Sequence, residues 1–199
     1  MERSSDRDDT NRRVISCGDG LRLHWVDPGG AAELYASIDR NRARLREWLP
    51  WATHEYGPAD AVRFLEQQVV ENEKRTSLTT MIRLDGRLCG SIGLHRIDAP
   101  NRASSIGYWV DGDYVGHGIA TRACRAILDV GFGDYGLHRI EIRCATGNHR
   151  SCAVPQRLGF TEEGVLRDAE WLYDHWVDLR VFSKLEHEWG QAERSPLLR

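Results

Sequence analysis

Apolar positions along the chain switch between a spacing of two and a spacing of 3.6 residues, and the switches divide it into strands and helices. Leu21-Arg22-Leu23-His24-Trp25 alternates as a strand, and Asp27-Pro28-Gly29-Gly30 is a turn into a helix carrying Ala32, Leu34, Tyr35, Ile38 and Leu45. Leu49-Pro50 ends that helix, because a residue before proline is pushed out of the α region. A second helix opens at Pro58 and runs toward Asn72, with Val62, Leu65 and Val69 on its buried stripe. Strands over Leu78–Leu84 and Leu88–His95 flank Asp85-Gly86, a strong hairpin signal. Arg102–Val110 predicts the next strand. An amphipathic helix follows from about Ile119 to Val130, with Ala120, Cys124, Ile127 and Gly131 on one face and Arg122, Arg125 and Asp129 opposite.

Beyond that helix, Arg139–Thr146 alternates cleanly, so strand, helix and strand make a parallel crossover. A short helix near Ser151–Leu158 and strands around Phe160–Leu166 and Val177–Lys184 complete the pattern. The sum is a mixed sheet of about seven strands with helices on its faces. Residues 1–13 are rich in Ser, Asp, Arg and Asn with no apolar period, and predict a disordered tail. One domain is expected over 14–189 and a C-terminal tail over 190–199.

Composition narrows the setting. A chain of 199 residues buries about 70% of its unfolded surface without staples. Its five cysteines, odd in number, show no ligand spacing; they read as reduced, and no metal site is expected. No run of eighteen apolar residues occurs and the first thirteen residues lack a signal peptide's apolar stretch, so a cytoplasmic protein without membrane contact is expected. A net charge of −3 argues against nucleic acid as the main partner.

The candidate chemistry begins at Val115-Gly116-His117-Gly118-Ile119-Ala120-Thr121, between a strand and a helix. Backbone N–H groups at a helix start have no intrahelical partner and carry the positive end of the helix dipole; glycines let an anion approach them. A phosphorylated ligand is expected there. A dinucleotide fingerprint is excluded by spacing, since Asp111 to Val115 intervene after the strand and Thr121 stands in the third glycine's place. The literal pattern at Gly131-Phe132-Gly133-Asp134-Tyr135-Gly136 follows a helix and reads as its C-terminus. No Gly-Lys-Ser/Thr follows either loop.

Strand, glycine loop, helix and strand, followed by Asn148-His149-Arg150-Ser151 and Leu158-Gly159-Phe160, resemble the GNAT superfamily of acyl-CoA-dependent N-acetyltransferases over nearly the whole chain. Leu45-Arg46-Glu47-Trp48-Leu49-Pro50-Trp51, Ile106-Gly107-Tyr108-Trp109 and Ala169-Glu170-Trp171-Leu172 with Asp178 resemble its RimJ/RimL branch, which acetylates amino-termini of ribosomal proteins. The resemblance implies an α+β GNAT fold: a mixed, mostly antiparallel sheet of about seven strands, helices on both faces and a splayed central parallel pair. It implies acetyl-CoA as cosubstrate, its pyrophosphate on the amides of Val115, Gly116, His117, Gly118, Ile119, Ala120 and Thr121. Tyr108, Trp109 and Val110 are implied to meet pantetheine through main-chain hydrogen bonds, with Asn148 contacting the same arm. Where the family usually has Gln or Arg to begin the loop, this chain has Val115. Resembling proteins are often dimers, so a homodimer is implied.

Acetyl transfer to an amine needs a neutral amine, a donor to the developing oxyanion and a proton for the leaving thiolate. An α-amino group, with a pKa of about 8, asks less of a base than lysine. Glu170 is the candidate base that the resemblance implies, beside Trp171, whose ring is placed to desolvate it. Many relatives protonate the thiolate with a tyrosine where this chain has Pro155; Ser151 matches the branch's serine at the sulfur and equally suits a helix N-cap. Pro155 is expected to start or kink the helix near Ser151. Trp48 and Trp51 fit equally as core aromatics or as walls of the acceptor cleft, and Trp171 and Tyr173 are placed with them on the acceptor side. The implied reaction is direct attack in a ternary complex, with a protein amino-terminus or other primary amine as acceptor. A small-molecule or antibiotic amine, a succinyl donor, and a non-catalytic acyl-CoA-binding module remain the alternatives.

Overall fold

The computed structural model describes residues 14–192. The expected tail over 1–13 lies outside the described residues, as do residues 193–199 of the second. Eight strands form one sheet: β1 Val14–Ser16, β2 Leu21–Trp25, β3 Leu78–Leu84, β4 Arg87–Asp98, β5 Ala103–Val110, β6 Arg139–Ala145, β7 Thr161–Leu172 and β8 His175–Leu185. Their order is β1-β2-β3-β4-β5-β6-β8-β7, antiparallel throughout except for the central β5/β6 pair. The helices are α1 Ala31–Arg46, α2 Pro58–Lys74, α3 Ile119–Phe132, α4 His149–Arg157 and α5 Glu186–Ala192. None of the described helices is long and apolar enough to cross a membrane.

Each face of the sheet has its own core, because alternate strand residues point to opposite faces. On one face, Ile119, Cys124 and Ile127 of α3 pack with Leu23, Ile92, Ile106, Ile140 and Phe182 of the strands and Val154 of α4. On the other, Leu34, Ile38 and Leu45 of α1 and Leu65 of α2 pack against Met81, Leu88 and the half-buried Trp109. The sequence-derived elements are all present, with three instructive differences. Val14–Ser16 adds an eighth strand, paired with β2. β7 runs six residues past the expected Leu166; as an edge strand with Thr161–Ala169 all exposed, it carries no apolar alternation, and its register shifts between Leu166 and Glu170. Finally, α4 begins at His149, capped by Asn148 whose side chain accepts from Ser151 N–H at 3.1 Å, so Asn148 rather than Ser151 is the N-cap.

Candidate active site

The parallel pairing of β5 and β6 covers only Ala103–Ser105 against Arg139–Glu141. Past that point β5 continues to Val110 and β6 to Ala145 without pairing to each other, so the strands splay. The gap is the floor of a cleft of about 1990 Å³ lined by both strands, the glycine loop, α4, the segment after α1, and β7. A splayed pair leaves main-chain N–H and C=O groups along its inner edges, where an extended ligand adds like a strand. Arg44 of α1 reaches this edge and donates to the carbonyl of Val110.

At one end of the cleft sits the glycine loop. Gly116 and Gly118 have φ of +89° and +71°, and Gly118 is the N-cap of α3 with no side chain capping the helix. A Cβ built on either glycine meets no atom within 4 Å, so the space over the helix start is open. Uncapped N–H groups, the helix dipole and the lining side chains Arg122 and Arg150 together suit a phosphate. The loop is moored by Asp111, which is 1% exposed and accepts from Ser37, Arg40 and Asp113 N–H. Burial opposes its charge, but these hydrogen bonds outweigh it and hold the carboxyl below its usual range.

In α4, which packs against α3, Pro155 lies inside the helix and has no N–H for the carbonyl of Ser151, four residues back. The Tyr108 hydroxyl from β5 takes its place, 3.0 Å from Ser151 O, and also stands 3.1 Å from Ser151 Oγ. Burial pushes the Tyr108 phenol far above its ordinary value, so it keeps its proton and acts as a donor. Cys144 Sγ is 3.3 Å from the same Ser151 Oγ. Burial raises the Cys144 thiol to about 12 even against its hydrogen bond with Ser151, so at neutral pH it is a thiol and a poor nucleophile.

Glu170 lines the cleft from β7, half-buried, and burial raises its carboxyl above the ordinary range. Trp171 is not what buries it. Adjacent residues of a strand face opposite ways, and Trp171 packs edge-on against Trp176 at 5.2 Å, 47% exposed and off the cleft. Trp48 and Trp51 do line the cleft, Trp48 beside Gly147 in the loop before α4. Tyr173 stands outside it and holds the wall together: its hydroxyl donates to Leu49 O at 2.6 Å, and Arg46 stacks over its ring at 4.1 Å. Tyr173→Phe is expected to cost about 1 kcal/mol of stability and to raise the acceptor KM about threefold, with the acetyl-CoA KM unchanged, in steady-state kinetics.

Of the expected donor-site residues, Tyr108, Trp109, Val110, Val115, Gly116, Gly118, Ile119, Ala120, Thr121, Asn148 and Ser151 line this one cleft, while His117 is exposed and off it. Sequence reasoning missed the side-chain roles of Tyr108 and Arg44, and gave His95 no role although it lines the cleft. Each of these depends on contacts between distant segments, which no local pattern carries.

An open helix start suited to a phosphate, a splayed strand pair, and a carboxylate and a serine lining one cleft are the arrangement of a transferase that anchors a phosphorylated donor. The acetyltransferase (GNAT) domain model matches residues 21–161, and the chain belongs to that family. It is an acetyl-CoA-dependent acyltransferase, related to the RimJ/RimL-type ribosomal acetyltransferases. It is 35% identical to the putative ribosomal N-acetyltransferase YdaF of Bacillus subtilis over 85% of this chain and 93% of that one. Identity to the ribosomal-protein-serine acetyltransferase of Escherichia coli is 29%, over 86% of this chain and 96% of that protein. The microcin C7 self-immunity acetyltransferase MccE, solved with acetyl-CoA and AMP, superposes with a TM-score of 0.82 at 32% identity, covering 87% of this chain and 96% of its own.

Proposed function

We propose that this enzyme transfers the acetyl group of acetyl-CoA to the α-amino group of a protein amino-terminus, by direct attack in a ternary complex. The observation that carries the reading is Glu170: a half-buried carboxylate of raised pKa, in the same cleft as the glycine loop and Ser151. The amine nitrogen attacks the thioester carbon, the carbon–sulfur bond breaks, and the Glu170 carboxylate takes the proton the nitrogen sheds. The Ser151 hydroxyl donates a hydrogen bond to the departing sulfur, which leaves as the thiolate and takes its proton from solvent, as Glu170 returns its own to solvent. An α-amino group is partly neutral at physiological pH and suits a carboxylate base, whereas a lysine side chain does not. With Cys144 a buried thiol, an acyl-enzyme step has no support.

Thiol release from acetyl-CoA tests the proposal, with peptides whose amino-termini are free or blocked, a lysine side-chain substrate and a polyamine as competing acceptors. Turnover confined to free peptide amino-termini supports it. Preferred turnover of lysine or polyamine sinks it.

Tyr108 and Pro155 give a sharper check on Ser151. Tyr108→Phe leaves the Ser151 carbonyl unpaired, costing about 1–3 kcal/mol of stability and lowering kcat about tenfold as the hydroxyl drifts from the sulfur. Pro155→Ala returns the missing N–H to that carbonyl. The double variant is therefore expected to recover most of the lost kcat, and a double variant as slow as Tyr108→Phe would remove the positioning role.

A further inference from the structure

Adjoining the main cleft is a second cavity of about 390 Å³, on the α1/α2 side of β5. Leu49, Trp51, His95, Gly107, Tyr108 and Trp109 line both spaces, so the two adjoin along the strand expected to hold the donor. Its deeper walls are Leu34 and Ile38 of α1 and Phe64 of α2. No Asp, Glu, Lys or Arg lines it. Of the hydroxyl side chains on its surface, Thr79 Oγ1 donates to Gln68 and Ser91 Oγ donates to Thr80 O at 2.9 Å, while burial raises the Tyr56 phenol to about 12 and keeps it uncharged. His95 is held neutral, because burial lowers its pKa more than Glu71 of α2 raises it, and Arg96 lowers it further. Gly107 makes room for the imidazole, since a Cβ there would stand 2.8 Å from its Nε2.

We propose that this chamber receives the substituent next to the acceptor's amine, and that it selects apolar or aromatic groups of leucine to phenylalanine size. The proposal rests on acetyl transfer to an amine in the main cleft. An uncharged, mostly apolar wall rewards burial of such a group and penalises a charged one, whose desolvation no opposite charge in the chamber compensates. The volume lies near the lower end of small-molecule sites, room for one side chain rather than a folded segment. The wall shared with the cleft commits the occupant to the molecule being acetylated.

The test uses the full chain, acetyl-CoA and peptides identical except for a first residue of Gly, Ser, Leu, Phe or Asp, with ethylamine and 2-phenylethylamine alongside. Leu-first and Phe-first peptides are expected to show kcat/KM about tenfold or more above Gly-first, and Asp-first the lowest. Phe64→Trp, which fills the chamber from α2, is expected to erase that preference while the Gly-first peptide and the acetyl-CoA KM stay unchanged. Gly-first or Ser-first peptides turned over as well as Leu-first and Phe-first would overturn the proposal and leave the amino-terminal reading standing. No peptide turnover, with 2-phenylethylamine still about tenfold better than ethylamine, would do the reverse. Should none of them be acetylated, calorimetric binding of the two amines in the presence of CoA decides: tighter 2-phenylethylamine supports the chamber and equal affinities overturn it.

Discussion

Glu170→Gln is expected to lower kcat at neutral pH by about 100-fold to 10,000-fold while the dissociation constant for acetyl-CoA stays within about twofold, since general base catalysis is the contribution removed. The substitution keeps the shape of the side chain and abolishes its ability to take a proton. The pH dependence has a definite sign. Burial places the Glu170 pKa above the ordinary 4.5, and only the ionised form accepts the proton, so wild-type kcat falls as pH drops through that raised value. The variant loses this acid limb and stays low across it. Stability moves the other way: a carboxyl whose folded pKa is raised weakens the fold progressively as pH climbs through its unfolded and then its folded pKa. Glu170→Gln therefore leaves the melting temperature at pH 7 unchanged or slightly higher, which separates lost chemistry from lost structure. Equal kcat for the two proteins from about pH 6 to about pH 9 would take Glu170 out of the base role.

Glu170 also marks where the sequence stops being legible. The glycine loop announces itself locally, because a strand, two glycines and an amphipathic helix in that order already specify a helix start open to an anion. β7 announces itself only as far as Leu166, short of Glu170. Its exposed residues carry no apolar period, so Glu170 was visible through likeness to other chains and not through its own surroundings. Its neighbour Trp171 illustrates the cost: adjacency in sequence suggested that the ring desolvates the carboxylate, whereas in a strand adjacency places the two on opposite sides. Ser151 was visible, but its support was not, since Tyr108 lies 43 residues away and answers a vacancy created by Pro155. The proline looked like the loss of a catalytic tyrosine. In the fold it is also the reason a different tyrosine holds the serine in place.

Donor binding gives the second large effect. Gly118→Val is expected to weaken acetyl-CoA binding by at least about 100-fold in calorimetric titration, because charge-assisted hydrogen bonds from the helix start contribute about 1.5–3 kcal/mol each and each 1.4 kcal/mol is tenfold. Two causes act together in that variant. The residue sits at φ +71°, a region that strains a β-branched side chain, and its new atoms project into the open space over the start of α3. Gly118→Asn separates them, since asparagine tolerates the left-handed region yet still fills the space. The asparagine variant is expected to melt close to the wild type and still bind acetyl-CoA about 10-fold to 100-fold more weakly, whereas the valine variant loses both stability and binding. Wild-type affinity in a folded Gly118→Asn protein would move the phosphates away from this loop, and with them the proposed register of the thioester against Ser151 and Glu170.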